Sequence, residues 1–343
     1  MLSTIMSGIA VVGNAILDHY KVVDSYPSAS ALTTVRSVTS APGGLMYNCA
    51  VGLARLDPEL RVAVVGRVGD DPDGDTVLAA LSVNPLIDTA QLHRGGKTSF
   101  TDVMEDSSTK TRTFFQYRGA NAELDVADVD FDRLDADFLH VGYILLLDRL
   151  DAPDAEFGTR MARLLAAAQA RGVRTSIDVV SEHSDRFATI VPPALRYADY
   201  CIVNELEASR TTGIPVTEGD VVTEAGLRRA AEALLALGVS TWVVIHWPKG
   251  AAGLSREGEW VVRPSVALGR DQIVTTTGAG DAFASGVIHS AWAGQPLGAA
   301  LETGIGAAAC SLLAGNSTDG IRPHAEVWRF YRESPHGELW GVA

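Results

Sequence analysis

Short runs of apolar, β-branched residues alternate along this chain with stretches in which apolar residues return every three or four positions. The first kind of run, at residues 9–12, 62–65, 138–141, 173–177, 200–203 and 241–245, predicts buried strands of a mostly parallel sheet. The second kind predicts helices between them. Residues 154–171 place Phe157, Met161, Leu164, Leu165 and Ala168 on one face and stop at Gly172, while 224–237 repeat the pattern and stop at Gly238. Strand–helix alternation of this sort predicts an α/β fold with helices covering both faces of the sheet. Two regions, 22–40 and 96–117, break the rhythm: they are rich in Thr, Ser and Val and carry no helical period. They predict extra strands projecting from the sheet as a small β lid, drawn from roughly 19–41 and 95–119.

Composition narrows the picture. At 343 residues the chain allows one large domain with an appendage or two domains; the even rhythm favours a single α/β domain over 1–343. A formal charge of −14 disfavours nucleic acid and anionic membrane surfaces as partners, so an anionic cosubstrate needs a local cradle. Cys49, Cys201 and Cys310 are odd in number, far apart and not spaced as metal ligands, which suits a reducing compartment. Residues 1–7 lack the basic start and long apolar run of a secretion signal, and no run reaches the roughly 18 apolar residues of a spanning helix, so a cytoplasmic protein is expected.

The chemistry concentrates in Thr275-Thr276-Thr277-Gly278-Ala279-Gly280-Asp281-Ala282-Phe283, which follows Ile273-Val274 and opens a helix running towards Ala293. Glycines at a helix entry let the backbone approach an anion while the first free N–H groups point at it. Asp281 then falls in the first turn, where the helix dipole favours its charge. A carboxylate there can take a proton from an attacking hydroxyl while Gly278, Ala279 and Gly280 hold the transferring phosphoryl group. An ordinary capped helix start is the plainer alternative.

The block resembles the C-terminal signature of the ribokinase-like (PfkB) carbohydrate kinases, and four further segments resemble that family in order. They are Gly13-Asn14-Ala15-Ile16-Leu17-Asp18, Gly43-Gly44-Leu45-Met46-Tyr47-Asn48-Cys49-Ala50, the stretch Gly66 to Asp75, and Asn204-Glu205-Leu206-Glu207. The resemblance covers nearly the whole chain. It implies a ribokinase-like three-layer α/β/α fold, and an ATP- and Mg2+-dependent transfer to a hydroxyl of a sugar or sugar acid, with Asp281 as base and Gly278, Ala279 and Gly280 as the anion hole. It further implies that Asp18, Gly43, Gly44 and Asn48 bind the acceptor, and that Asn204 and Glu207 organise a magnesium–triphosphate, Glu207 acting largely through water. Arg118, at the end of the presumed lid, is the arginine assigned to the substrate, with Arg112 beside it. A homodimer joined through the lids is expected, because an isolated sheet of a few strands is marginally stable. A nucleoside kinase of the same family, or a non-catalytic sugar- or nucleotide-sensing homologue, remains an alternative.

Two positions depart from the family. Thr275 stands where Asp is common, which puts a monovalent-cation site in doubt. Ile245-His246-Trp247-Pro248-Lys249-Gly250 replaces a Thr-x-Gly-x-x-Gly turn against the nucleotide, leaving Lys249 and Gly250 as the expected contacts and Trp247 as a packing residue. Other motifs fail on context. Gly95-Gly96-Lys97-Thr98 lacks the first glycine of a Walker loop, the first strand lacks G-x-G-x-x-G, and no Gly-x-Ser-x-Gly occurs. His140 and His289 carry no ligand spacing and are expected to be core or surface residues rather than metal ligands.

Overall fold

A computed structural model describes residues 7–340. Among these residues nine strands form the central sheet, and the order explains where a site must lie. From one edge it runs Trp260–Pro264, Gly250–Ser255, Trp242–Trp247, Tyr200–Asn204, Arg174–Val179, Phe138–Ile144, Ile9–Gly13, Val62–Val68 and Ile87–Arg94. Gly250–Ser255 pairs antiparallel with both its neighbours and runs against the rest; every other pairing in the sheet is parallel. The chain winds outward from Ile9–Gly13 on one side and then restarts at Phe138–Ile144 on the other. Such a reversal opens a crevice at the carboxyl ends of the strands, where α/β proteins bind ligands.

Alternation along each strand feeds two cores. Ile9 and Val11 pack with the helices Leu45–Leu56, Ala279–Trp292 and Leu297–Leu312, whereas Ala10 and Val12 pack with Arg160–Gln169, Phe187–Leu195 and Glu224–Ala236. Both faces are therefore covered, and the strands read as nearly continuous apolar runs because neither face meets water. This is a three-layer α/β/α fold. His140 and His289 are both buried, and burial pushes their pKa values down to about 3 and about 4.

The first predicted helix begins later than the apolar spacing implied. Pro153–Asp154 and Gly158–Thr159 pair as a short antiparallel bridge, and the helix Arg160–Gln169 starts only where the Thr159 hydroxyl accepts the Ala162 N–H at 3.2 Å. Phe157 thus lies outside the helix, tilted against Tyr197. A local cap overrode the periodicity.

The lid is a four-stranded sheet in the order Val35–Gly43, Ile16–Val23, Phe100–Asp106, Arg112–Tyr117. Its strands extend further towards the main sheet than the sequence indicated. Asp18 lies on a lid strand opposite Ala41 and Thr101, and Gly43 closes the neighbouring strand opposite Ile16.

Candidate active site

Gly278 caps the helix Ala279–Trp292 at φ 78°, and a Cβ there would run into Ser317, so glycine is required on both conformational and steric grounds. Gly280, two residues on, differs. A Cβ built on it meets nothing closer than His246 Cε1 at 3.8 Å, and the residue lines a cavity of about 590 Å³. Space beside the free N–H groups of a helix entrance is what an anion needs. Thr276, Ala279 and Asn204 line the same cavity, and Val266, Leu268, Ile273, Phe283 and Leu312 supply an apolar slot beyond them. A flat ring carrying a phosphate chain fits those walls.

Asp281 is buried in the first turn of that helix. Its Oδ1 accepts the Tyr143 hydroxyl at 2.5 Å and its Oδ2 accepts the Asn48 amide at 2.7 Å. Burial raises its pKa, and these two donors oppose the rise. Asn48, expected on the acceptor, donates to the Asp281 carboxylate instead; its Oδ1 is buried with no hydrogen-bond partner among the described residues. Gly44 opens the helix Leu45–Leu56 at φ 88°, where a Cβ would strike the Asn14 carbonyl, and the Asn14 side chain accepts the Leu45 N–H at 3.0 Å. Gly43 packs directly on the Asp18 carboxylate. Burial pushes the Asp18 pKa up to about 6, with Thr101 hydrogen bonding against it and the Asp281 charge adding to it. Asp18, Gly43, Asn48 and Asp281 thus converge from the lid, the first long helix and the late helix.

Asn204 and Glu207 form a reciprocal helix cap. Asn204 Oδ1 accepts the Glu207 N–H and Glu207 Oε2 accepts the Asn204 N–H, both at 2.9 Å. Ser181 Oγ donates to Glu207 Oε1 at 2.8 Å. Burial raises the Glu207 pKa to about 7. Asp178 is buried at the end of the neighbouring strand, and burial together with the charges of Glu207 and Asp281 raises its pKa well above the usual range. Two adjacent carboxylates short of countercharge are chemically suited to a hydrated divalent cation nearby.

Three expectations for cationic and turn residues change. Arg118 donates to the Leu145 carbonyl at 3.1 Å and pairs with Asp148 at 3.3 Å and Glu182 at 3.8 Å, so its fork is taken up by the loop after Phe138–Ile144. Arg112 is the arginine at the helix entrance: it pairs with Glu105 at 3.0 Å and donates to Thr277 Oγ1 at 3.3 Å. Lys249 lies in the turn between two antiparallel strands, and the cavity is lined by Pro248 and Gly250 rather than by its side chain. Trp247 is buried and stacks on Trp340 at 5.6 Å, which makes it the packing residue expected. Thr275 Oγ1 accepts the Thr277 N–H at 3.2 Å, an internal use for the residue that departs from the family.

Tyr143, Asp178 and His246 were not singled out from the sequence. All three end parallel strands, at the edge of the crevice. A carboxylate closing an apolar run, as Asp178 does after Ile177, was the available signal; Tyr143 offered none.

The chain matches the model of the pfkB family carbohydrate kinases over residues 6–324. Among curated proteins it is 24% identical over 316 residues to a 5-dehydro-2-deoxygluconokinase of Geobacillus kaustophilus, covering 87% of each chain. It is 26% identical to a deoxyribokinase of Salmonella typhi, covering 94% of this chain and 98% of that one. Its fold superposes on the Arabidopsis thaliana ribokinase solved with ribose and ATP at a TM-score of 0.80 and 21% identity, covering 96% of this chain and all of that one. Since the family match spans almost the whole chain, the protein belongs to the pfkB family of carbohydrate kinases, enzymes that transfer a phosphoryl group to a sugar hydroxyl.

Proposed function

We propose that this kinase uses ATP and Mg2+ to phosphorylate a hydroxyl of a sugar or sugar acid, with Asp281 as general base. The observation that carries the reading is the placement of a buried, doubly hydrogen-bonded carboxylate one residue past an open glycine cradle at the mouth of the cavity. The adenine ring would occupy the apolar slot, and its phosphate chain would end at the N–H groups of Ala279 to Asp281. Asn204 and Gly250 line that cavity and would contact the nucleotide. Magnesium, held by Glu207 through water, would offset negative charge on the triphosphate when bound. Asp18 would accept acceptor hydroxyls against the flat floor made by Gly43 and Gly44. Asp281 would draw the proton from the attacking oxygen, and lid closure would keep water from competing for the phosphoryl group. Arg112, from the lid, would bring positive charge to the anion loop at Thr277.

The test is ADP release over a panel of sugars, sugar acids and nucleosides. Preferred turnover of a nucleoside would overturn the assignment of the acceptor, and no turnover of any member would overturn the reaction.

Acceptor binding should depend on pH. A hydroxyl donates a stronger hydrogen bond to Asp18 when that carboxylate is ionised, and burial pushes its pKa up to about 6. The KM for the acceptor should therefore rise as pH falls through about 6 and level off above it. Asp18→Asn should raise KM above pH 6, where the parent carboxylate is ionised, and flatten the profile.

The lid carries exposed Val35, Val38, Phe114, Phe115 and Tyr117 on and beside its two edge strands. Open edges with apolar side chains invite a second sheet, which supports a homodimer joined through the lids. Phe114→Asp should convert a dimer to a monomer in analytical ultracentrifugation; a parent chain already monomeric at micromolar concentration would remove the dimer. The three cysteines are free and buried, as in a reducing compartment, which supports a cytoplasmic enzyme.

A further inference from the structure

Asp281 must remain ionised at working pH to accept a proton, yet its surroundings work against that. The ionisable groups facing it are Cys49 from the helix Leu45–Leu56, Tyr143 from Phe138–Ile144, Asp178 from Arg174–Val179 and Asp18 from the lid. On the cavity side stands His246, whose pKa burial pushes down to about 4, so it carries no charge near neutrality. All are neutral or acidic. Arg112 reaches the same loop, but at Thr277 and already paired with Glu105. Against burial and two neighbouring carboxylates, the charge on Asp281 is held by two hydrogen bonds, one from Asn48 and one from Tyr143.

The two donors differ. Asn48 has an acceptor as well as a donor end, so its amide can turn over and present an oxygen to a protonated carboxyl. The tyrosine hydroxyl is anchored to a strand in the middle of the sheet, and burial followed by the charges of Asp281 and Asp178 raises its own ionisation well above the usual range. It stays a donor at every pH at which the enzyme works. Its bond to Oδ1, 2.5 Å long, is also the shorter of the two.

We infer that Tyr143 is a positioning residue for the phosphoryl-transfer reaction: its hydroxyl fixes Asp281 against the strand end and keeps that carboxylate ionised to receive the acceptor's proton. The inference rests on the reading of Asp281 as base. Each carboxylate oxygen keeps a second lone pair after accepting one bond, so the grip leaves room for the acceptor hydroxyl. The device replaces a cation with a neutral donor, which suits a site that must also admit a polyanionic nucleotide and its metal without a permanent competing ion pair.

The decisive variant is Tyr143→Phe. Loss of the donor raises the pKa of Asp281, so the acid limb of kcat/KM should move up by roughly one pH unit, and kcat/KM at a pH well down that limb should fall about tenfold. The basic limb should stay in place. A 2,3-difluorotyrosine placed at 143 has a more acidic phenol of nearly the same size. It should move the acid limb the other way, and it decides the question if the Phe variant does not fold. Thermal melts give a readout free of turnover: the Tm gap between parent and Tyr143→Phe should be wider at pH 8 than at pH 5, because the bond strengthens only when Asp281 is charged. An acid limb unmoved in both variants, or a Tm gap constant with pH, would overturn the inference. An inactive parent chain would instead sink the base assignment, and the melts would still report whether Tyr143 holds the carboxylate ionised.

Discussion

Asp281→Asn should lower kcat by about 10² to 10⁴ while leaving the protein folded and, at pH 7 to 8, no less stable than the parent. The kinetic loss follows because the amide cannot accept the proton of the attacking hydroxyl. The stability half follows from the sign of the pKa shift. Burial raises the carboxyl above its unfolded value, so whatever stability it contributes is fully present below the unfolded pKa and is lost as pH rises through the folded one. At neutral pH the parent therefore bears the cost of a buried charge that the neutral amide does not. Packing is kept as well. The new oxygen still accepts from Tyr143, and Asn48 can turn its unpartnered Oδ1 towards the new amide N–H. Steady-state ADP release and a thermal melt on the same preparation check both halves. Turnover within tenfold of the parent would remove Asp281 as base, and a melt lowered by many degrees would show that the loss was structural.

Gly280→Ala separates the anion cradle from the fold in a different way. Alanine is the better helix former by about 1 kcal/mol in a helix interior, and a Cβ here has only His246 Cε1 at 3.8 Å as neighbour. The melt should hold or rise slightly. The methyl group enters the space where a transferring phosphoryl group must approach the first-turn N–H groups, and losing such contacts costs about 10² to 10³ in kcat. Gly278→Ala provides the contrast, since its positive φ and the approach of Ser317 predict loss of stability along with loss of turnover. A Gly280→Ala enzyme with parental kcat would mean that the phosphate lies elsewhere.

Parallel strands were legible because each is buried on both faces and so must be apolar throughout; Val62–Val68 and Tyr200–Asn204 declare themselves within a few residues. The Thr275–Phe283 block was equally legible, since a helix entrance is a local object and its glycines and carboxylate are neighbours in sequence. The helix start at Arg160 was misread by several residues because a threonine cap and a four-residue bridge compete with apolar spacing on nearly equal terms. The separate surroundings of Arg112 and Arg118 were not legible either. Both sit at the ends of one lid strand, and only the placement of the strand against the body decides which fork meets Thr277 and which meets Asp148.

By itself the sequence determined the α/β class, the lid segments, the phosphate-type helix entrance and the carboxylate beside it, because all of these depend on the spacing of near neighbours. Only the tertiary structure decided what holds that carboxylate. Tyr143 and Asn48 lie 138 and 233 residues away along the chain, and they meet Asp281 because the sheet reverses its winding between Ile9–Gly13 and Phe138–Ile144. Strand order of this kind is fixed by the burial of two whole faces at once, a property of the assembled core that no local window of residues contains.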